Sequence, residues 1–266
     1  MIRNRRTRPG YGLGLAAALF LVLGGTAVAA AEGFDPTTTC AVPEEIAGAG
    51  LPLPHVAAKL KAREAVRIVV IGSGSSAGLG ASSLAEAYPM RLTRELGRLF
   101  PDAKFELVNL SKRGQLASEM EARFVTEVAA AHPALVIWQT GTVDAVKGVD
   151  LASFGQVLET GIDKLRALDA DVILINSQYS PHTLTALDTE PYRDYLRWAV
   201  QSRSAILFNR YAMMEYWVEQ GVIDFSSPSK VDQARNDDLV HGCIAYRLAR
   251  QIESAVKSGA GDDAKE

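Results

Sequence analysis

The chain has 266 residues, 48% of them hydrophobic and 22% charged, with a formal net charge of -3. That length suits one large domain with a full core, and the balance excludes a disordered or fibrous protein. Without a basic excess, a nucleic-acid partner has no electrostatic support.

Residues 1–31 read as a signal peptide. Arg3, Arg5, Arg6 and Arg8 give a basic start, and Leu13 to Leu23 is an apolar run too short to span a bilayer comfortably. Ala27-Val28-Ala29 and Ala29-Ala30-Ala31 are small-x-small sites suited to cleavage. The expectation is a periplasmic or secreted protein with no stable membrane insertion after cleavage; the alternative is an uncleaved anchor. In an exported protein the two cysteines, Cys40 and Cys243, permit one disulfide, and the alternative is two unrelated buried thiols.

Residues 32–62 form an N-terminal arm, rich in Pro, Gly, Thr and Ala up to Pro54, with a short helix starting at His55. The main domain, residues 63–257, begins at Val66 to Ile71. This apolar, β-branched run, broken only by Arg67 near its start and closed by Gly72, predicts a strand buried on both faces. A helix is predicted over Leu84 to Leu99, a strand over Phe105 to Leu110, and a helix over Leu116 to Ala130 with Leu116, Met120, Phe124 and Val128 on one face. Ala134 to Trp138 is the third strand. Leu151 to Leu168 is a helix with Phe154, Leu158, Ile162 and Leu165 aligned. Val172 to Asn176 and Ala205 to Phe208 are strands, separated by a helix at Tyr192 to Gln201. Helices follow at Tyr211 to Glu219 and from about Leu239 to Val256, and residues 258–266 are expected to be a disordered tail. Strands alternating with helices imply an α/β fold with a parallel sheet. Its ligand would sit at the carboxyl ends of the strands, in the loops after Ile71, Leu110, Gln139 and Ser177.

The first of these loops reads Gly72-Ser73-Gly74-Ser75-Ser76-Ala77-Gly78-Leu79-Gly80. Its amides could hold an anion at a helix start. Gly72, Gly74 and Ala77 also fit a dinucleotide fingerprint, but the second strand ends at Asn109-Leu110 rather than in the acid that would hold a ribose. Near the other end stands Asp238-Leu239-Val240-His241. In a turn, such an Asp can orient the imidazole so that its other nitrogen faces a nucleophile; alone, the pattern equally suits a helix cap. No His, Cys and Asp grouping has metal-ligand spacing, and neither a metal nor another cofactor is expected. His55 and His132 read as structural, His182 as a loop residue at the ligand end, and Trp198 and Trp217 as core.

Together these blocks resemble the SGNH (GDSL-type) hydrolases, from Val66 to the end of the last helix. Ile68 to Gly72 matches that family's first strand and opening glycine. Asn109 to Gly114 matches the second block, Leu135 to Asp144 the third, and Asp238 with His241 the last; Gln178-Tyr179-Ser180-Pro181 resembles the family's substrate-side loop. The resemblance implies a three-layer α/β/α, flavodoxin-like fold with a five-stranded parallel sheet. It also implies a serine nucleophile on the first loop, His241 as base and Asp238 behind it. Two positions depart from the pattern. In the ungapped register Gly74 stands where the nucleophilic serine belongs, and Val143 where an oxyanion asparagine belongs. The reading is therefore a Ser75–His241–Asp238 arrangement with Ser73 or Ser76 as alternative nucleophiles, and Gly74 and Gly114 amides as the oxyanion hole. The activity implied is hydrolysis of a small-molecule or glycan acyl ester by a monomer. The alternative is an inactive protein of the same fold that binds an acylated glycan or other ester in the cell envelope.

Overall fold

The computed structural model describes residues 34–48, 51–181 and 187–262. The expected leader, His182 and the last four residues lie outside these. Five strands, β1 (Val66–Ile71), β2 (Phe105–Asn109), β3 (Leu135–Gln139), β4 (Asp171–Ile175) and β5 (Ile206–Phe208), form one sheet in the order β2-β1-β3-β4-β5. Every pairing is parallel. The chain moves outward from β1 to β2, then crosses back to β3 on the other side. The switch point therefore lies between β1 and β3, and the loops leaving Ile71 and Gln139 flank a crevice there.

Alternation along β1 serves both layers. Val66, Ile68 and Val70 belong to the core on one face, and Val69 and Ile71 to the core on the other. Each aliphatic side chain buried this way contributes about 1.5–3 kcal/mol. The first layer contains α3 (Pro54–Lys61), α4 (Tyr88–Leu99), α9 (Arg210–Glu219) and α10 (Lys230–Asp262). The second contains α5 (Ala117–Glu121), α7 (Leu151–Arg166) and α8 (Glu190–Ser202). The three-layer α/β/α expectation thus stands. No helix among the described residues is long and apolar enough to cross a membrane.

Ahead of α3 the arm holds two short helices that were not anticipated, α1 (Pro36–Thr39) and α2 (Glu44–Ala47). Cys40 is bonded to Cys243, with Cα atoms 5.0 Å apart. Trp217 Nε1 adds a hydrogen bond to the Ala41 carbonyl at 3.2 Å. Val56 N donates to Asp171 Oδ2 at 2.9 Å, fastening α3 to the start of β4.

Several boundaries differ from the sequence reading. The helix expected from Leu84 is a 3-10 turn at Leu84–Glu86 followed by α4. Leu116 to Ala130 breaks into α5 and a π-turn at Phe124–Val128, although Met120, Phe124 and Val128 all stay fully buried. A short helix not anticipated, α6 (Thr142–Val146), follows β3. The last helix begins at Lys230 rather than Leu239 and continues to Asp262, so the first residues of the expected tail are helical.

Candidate active site

The first loop folds back under the strand ends. Ser76 is completely buried. Its Oγ lies 2.7 Å from Tyr88 Oη and donates to Gln139 Oε1 at 3.1 Å. Gln139 Oε1 also accepts from Ser73 N at 2.9 Å. Side chain and backbone are so close here that a Cβ on Gly72 would fall 2.5 Å from Ser76 Oγ, which accounts for a glycine at that position. Ser76 is therefore a staple between loop and sheet, not an accessible nucleophile.

Ser73 is buried as well, and its Oγ accepts from Gly114 N at 3.1 Å. That bond corrects two expectations: Ser73 has no hydrogen bond to a base, and the Gly114 amide is occupied rather than free to serve an oxyanion. Gly74 and Val143 do line the cleft, as the register implied, but Val143 offers no side-chain donor there. Asp144 braces this region. Its carboxylate accepts from Ala117 N at 2.9 Å and from Gly141 N at 3.3 Å. Burial nevertheless raises its carboxyl above the ordinary value.

His241 is 3% exposed, and both its ring nitrogens are taken by the backbone. Tyr88 N donates to Nδ1 at 3.1 Å, and Nε2 lies 3.1 Å from the Leu79 carbonyl. An amide N–H can only donate, so Nδ1 is the acceptor and the ring proton sits on Nε2, directed at Leu79. That tautomer is opposite to the one a triad base requires. Burial also depresses the His241 pKa, and the charges of Arg210 and Arg91 push the same way. Asp238 does not orient the ring. It lies inside α10, not in a turn, and its Oδ1 accepts from Ser82 N at 2.9 Å. No serine hydroxyl is hydrogen-bonded to His241 among the described residues.

Leu79 stands between the two halves of the expected relay. Its carbonyl meets His241, and its Cδ2 would be 3.1 Å from a Cβ placed on Gly74.

Ser75 is held elsewhere: Arg210 Nη1 donates to its Oγ at 2.7 Å. Arg210, which the sequence reading missed, is 1% exposed at the first turn of α9. Asn176, at the end of β4, organises it. The Asn176 carbonyl accepts from Arg210 Nε at 3.1 Å, its Oδ1 accepts from Tyr211 N, and its Nδ2 donates to Asn209 Oδ1, the α9 cap. Burial lowers the guanidinium pKa to about 10, so it remains charged at neutral pH.

Two adjoining cavities, about 470 Å³ and about 240 Å³, open at this place and share Ser75, Leu79, Gly80, Gln178, Arg210 and Asp237. His241 lines the smaller. A separate cavity of about 610 Å³, against Tyr195 and Trp198, includes none of the predicted site residues. Trp198 is 49% exposed there and not core as expected, whereas Trp217 is fully buried.

The sheet order, the crevice at the strand ends and the positions of the four blocks define the α/β/α fold of the SGNH-type hydrolases. The chain belongs to the non-GDSL lipase-like family, whose model matches residues 39–258. Solved structures share the fold at low identity. TesA is 22% identical, with a TM-score of 0.52 over 71% of this chain and 94% of that one. Axe2, an acetylxylan esterase from Geobacillus stearothermophilus, is 16% identical, with a TM-score of 0.55 over 70% and 94%. CEX, a two-domain esterase active on acetylated mannans, is 20% identical, with a TM-score of 0.61 over 78% of this chain and 55% of that one. No curated protein matches the sequence.

Proposed function

We propose that this protein binds an acyl ester, such as an acylated sugar, in the cleft at the strand ends, without cleaving it through a serine–histidine relay. One observation carries the reading: His241 has both ring nitrogens bonded to backbone, with its proton directed at Leu79. A catalytic hydrogen bond that is merely long can tighten when substrate arrives. A ring in the opposite tautomer must first break two bonds and turn. Gly74 and Val143 add to the case, since loss of one oxyanion donor alone costs about 100- to 1000-fold in rate. The ester class is suggested by the fold, which TesA, Axe2 and CEX share.

The test is a pair of measurements on one preparation. Acetylated xylo- and manno-oligosaccharides should bind in calorimetry, and p-nitrophenyl acetate and its longer homologues should be hydrolysed no faster by wild type than by His241→Ala. Hydrolysis that the His241→Ala substitution abolishes would overturn the non-catalytic reading.

That outcome would favour a second reading, a serine esterase with Ser75 as nucleophile. The contact between Ser75 Oγ and Arg210 at 2.7 Å speaks for it, because an adjacent cation favours an alkoxide. Ser75→Ala would then remove nearly all activity, and Ser75→Ala with His241→Ala would be no worse, since such residues act as a unit.

We also infer export, with cleavage near Ala29 to Ala31, on the basis of the basic start and the apolar run that follows. N-terminal sequencing of protein from the cell envelope tests it; Met1 at the mature start would refute it.

A further inference from the structure

We propose that the ligand of this cleft carries a carboxylate, and that Arg210 is the residue that receives it. The inference rests on the reading that the cleft takes an ester, and adds the chemical class of the ester.

Three observations lead there. Arg210 is a buried cation without a counter-charge: its protein partners are the Asn176 carbonyl and the Ser75 hydroxyl, both neutral, and it forms no ion pair among the described residues. Buried charges are ordinarily paired. Tyr88 does not supply the missing anion, because burial pushes its phenol up to about 12 and it stays neutral. The second observation is its place on the helix. Arg210 lies in the first turn of α9, where the helix dipole is positive and a cation is disfavoured. The same position favours an incoming anion, which would meet the guanidinium and the helix end together. The third is that the charge faces the cleft. Arg210 lines both cavities, and its remaining N–H groups have no protein acceptor among the described residues.

The rest of the lining limits the size of the charge. Arg113 adds a second cation at the larger cavity, and Asp237 is an acid shared by both. Burial, with Asp238 beside it, raises the Asp237 carboxyl. Two cations against one acid suit a monoanion better than a doubly charged phosphate. The planar fork of a guanidinium matches a carboxylate in two-point contact. Asn176 fixes the fork through Nε and α9 through its amide, so the site is organised before a ligand arrives.

The experiment compares monomethyl succinate with dimethyl succinate, the same ester with and without a free carboxylate, by titration calorimetry on the mature protein. The monoester should bind at least about tenfold tighter, in keeping with a charge-assisted two-point contact. Arg210→Gln should erase the preference, and Arg113→Gln, an exposed position, should reduce it about two- to threefold. The wild-type comparison stands even if Arg210→Gln does not fold. Equal affinity for both esters would overturn the carboxylate assignment and leave the ester reading standing. Binding of neither would overturn the carboxylate assignment, and the ester reading as well if the acetylated oligosaccharides also fail to bind. Inorganic phosphate competing better than acetate would replace carboxylate by phosphate and so defeat the proposal.

Discussion

Two polar groups sit almost side by side in the cleft, and the fold treats them in opposite ways. His241 is enclosed and its hydrogen-bonding capacity is used up by Tyr88 N and the Leu79 carbonyl. Arg210 is just as deeply enclosed, but among the described residues its charge has no ion-pair partner. A buried polar group that is fully satisfied holds the structure together. One that is only partly satisfied costs stability in the empty protein, and a ligand is one thing that can complete it. On the reading proposed above, His241 braces the structure and Arg210 receives the ligand.

The largest expected effect tests what anchors the histidine corner. Cys243 lies two residues past His241 and is tied to Cys40. Replacing both cysteines by serine should cost about 2–5 kcal/mol, read as a lower midpoint in urea. The carboxylate preference should survive under conditions where the variant remains folded. If ligand preference is lost before stability, the two corners are not separable.

Next comes His241→Ala, which leaves the Tyr88 amide and the Leu79 carbonyl without their partner. The expected loss is about 2–4 kcal/mol by equilibrium denaturation. A variant as stable as wild type would remove the structural account of His241.

Acid should expose the same corner more gently. Burial depresses the folded pKa of His241 below its ordinary 6.5. Between those two values the unfolded chain binds the extra proton. Stability is therefore fully present above 6.5 and falls as pH drops toward the folded pKa, by at most about 1.4 kcal/mol per unit. Burial raises Asp144 and Asp171, so these groups work in the opposite sense, favouring the folded state at lower pH. Denaturation midpoints between pH 7.5 and 5 should show the decline, and His241→Gln should flatten it.

The smallest effect is expected from restoring the missing family residues. Gly74→Ser with Val143→Asn should change hydrolysis of p-nitrophenyl acetate by less than about tenfold, because Leu79 stays against position 74 and His241 stays in the wrong tautomer. A gain of about 1000-fold would mean that the histidine turns easily, and would dissolve the contrast between the two corners.

The sheet was legible because its strands are short, mostly apolar runs closed by glycine or polar residues, as at Val66–Ile71, which only Arg67 interrupts, and every strand was anticipated to within a residue or so. Failures came where periodicity is short or absent. Helix α6 is too brief to display a face. The start of α10 is a polar stretch, Lys230 to Asp238, with no apolar stripe. A cap was readable there nonetheless: Ser229 Oγ accepts from Asp232 N, and serine followed three residues later by an acid is a known start signal. Heeding it would have put Asp238 and His241 within a helix, and would have weakened the turn-based triad. Placing the first three blocks at the strand ends succeeded because topology alone brings them there. The roles assigned to them did not follow, because a hydroxyl or an imidazole is defined by what it bonds to. Arg210 was missed for a related reason, since an arginine after a short strand is usually exposed.

The bridge between Cys40 and Cys243 spans 203 residues of sequence. A chain made from its amino end must have produced α10 before Cys40 has anything to react with. Until then Cys40 is a solitary thiol, open to capture by small oxidants or by another copy of itself. With two cysteines in the sequence there is only one internal pairing to make. Once the last helix is present, the correct bond needs no reshuffling, and maturation depends on timing and not on choice.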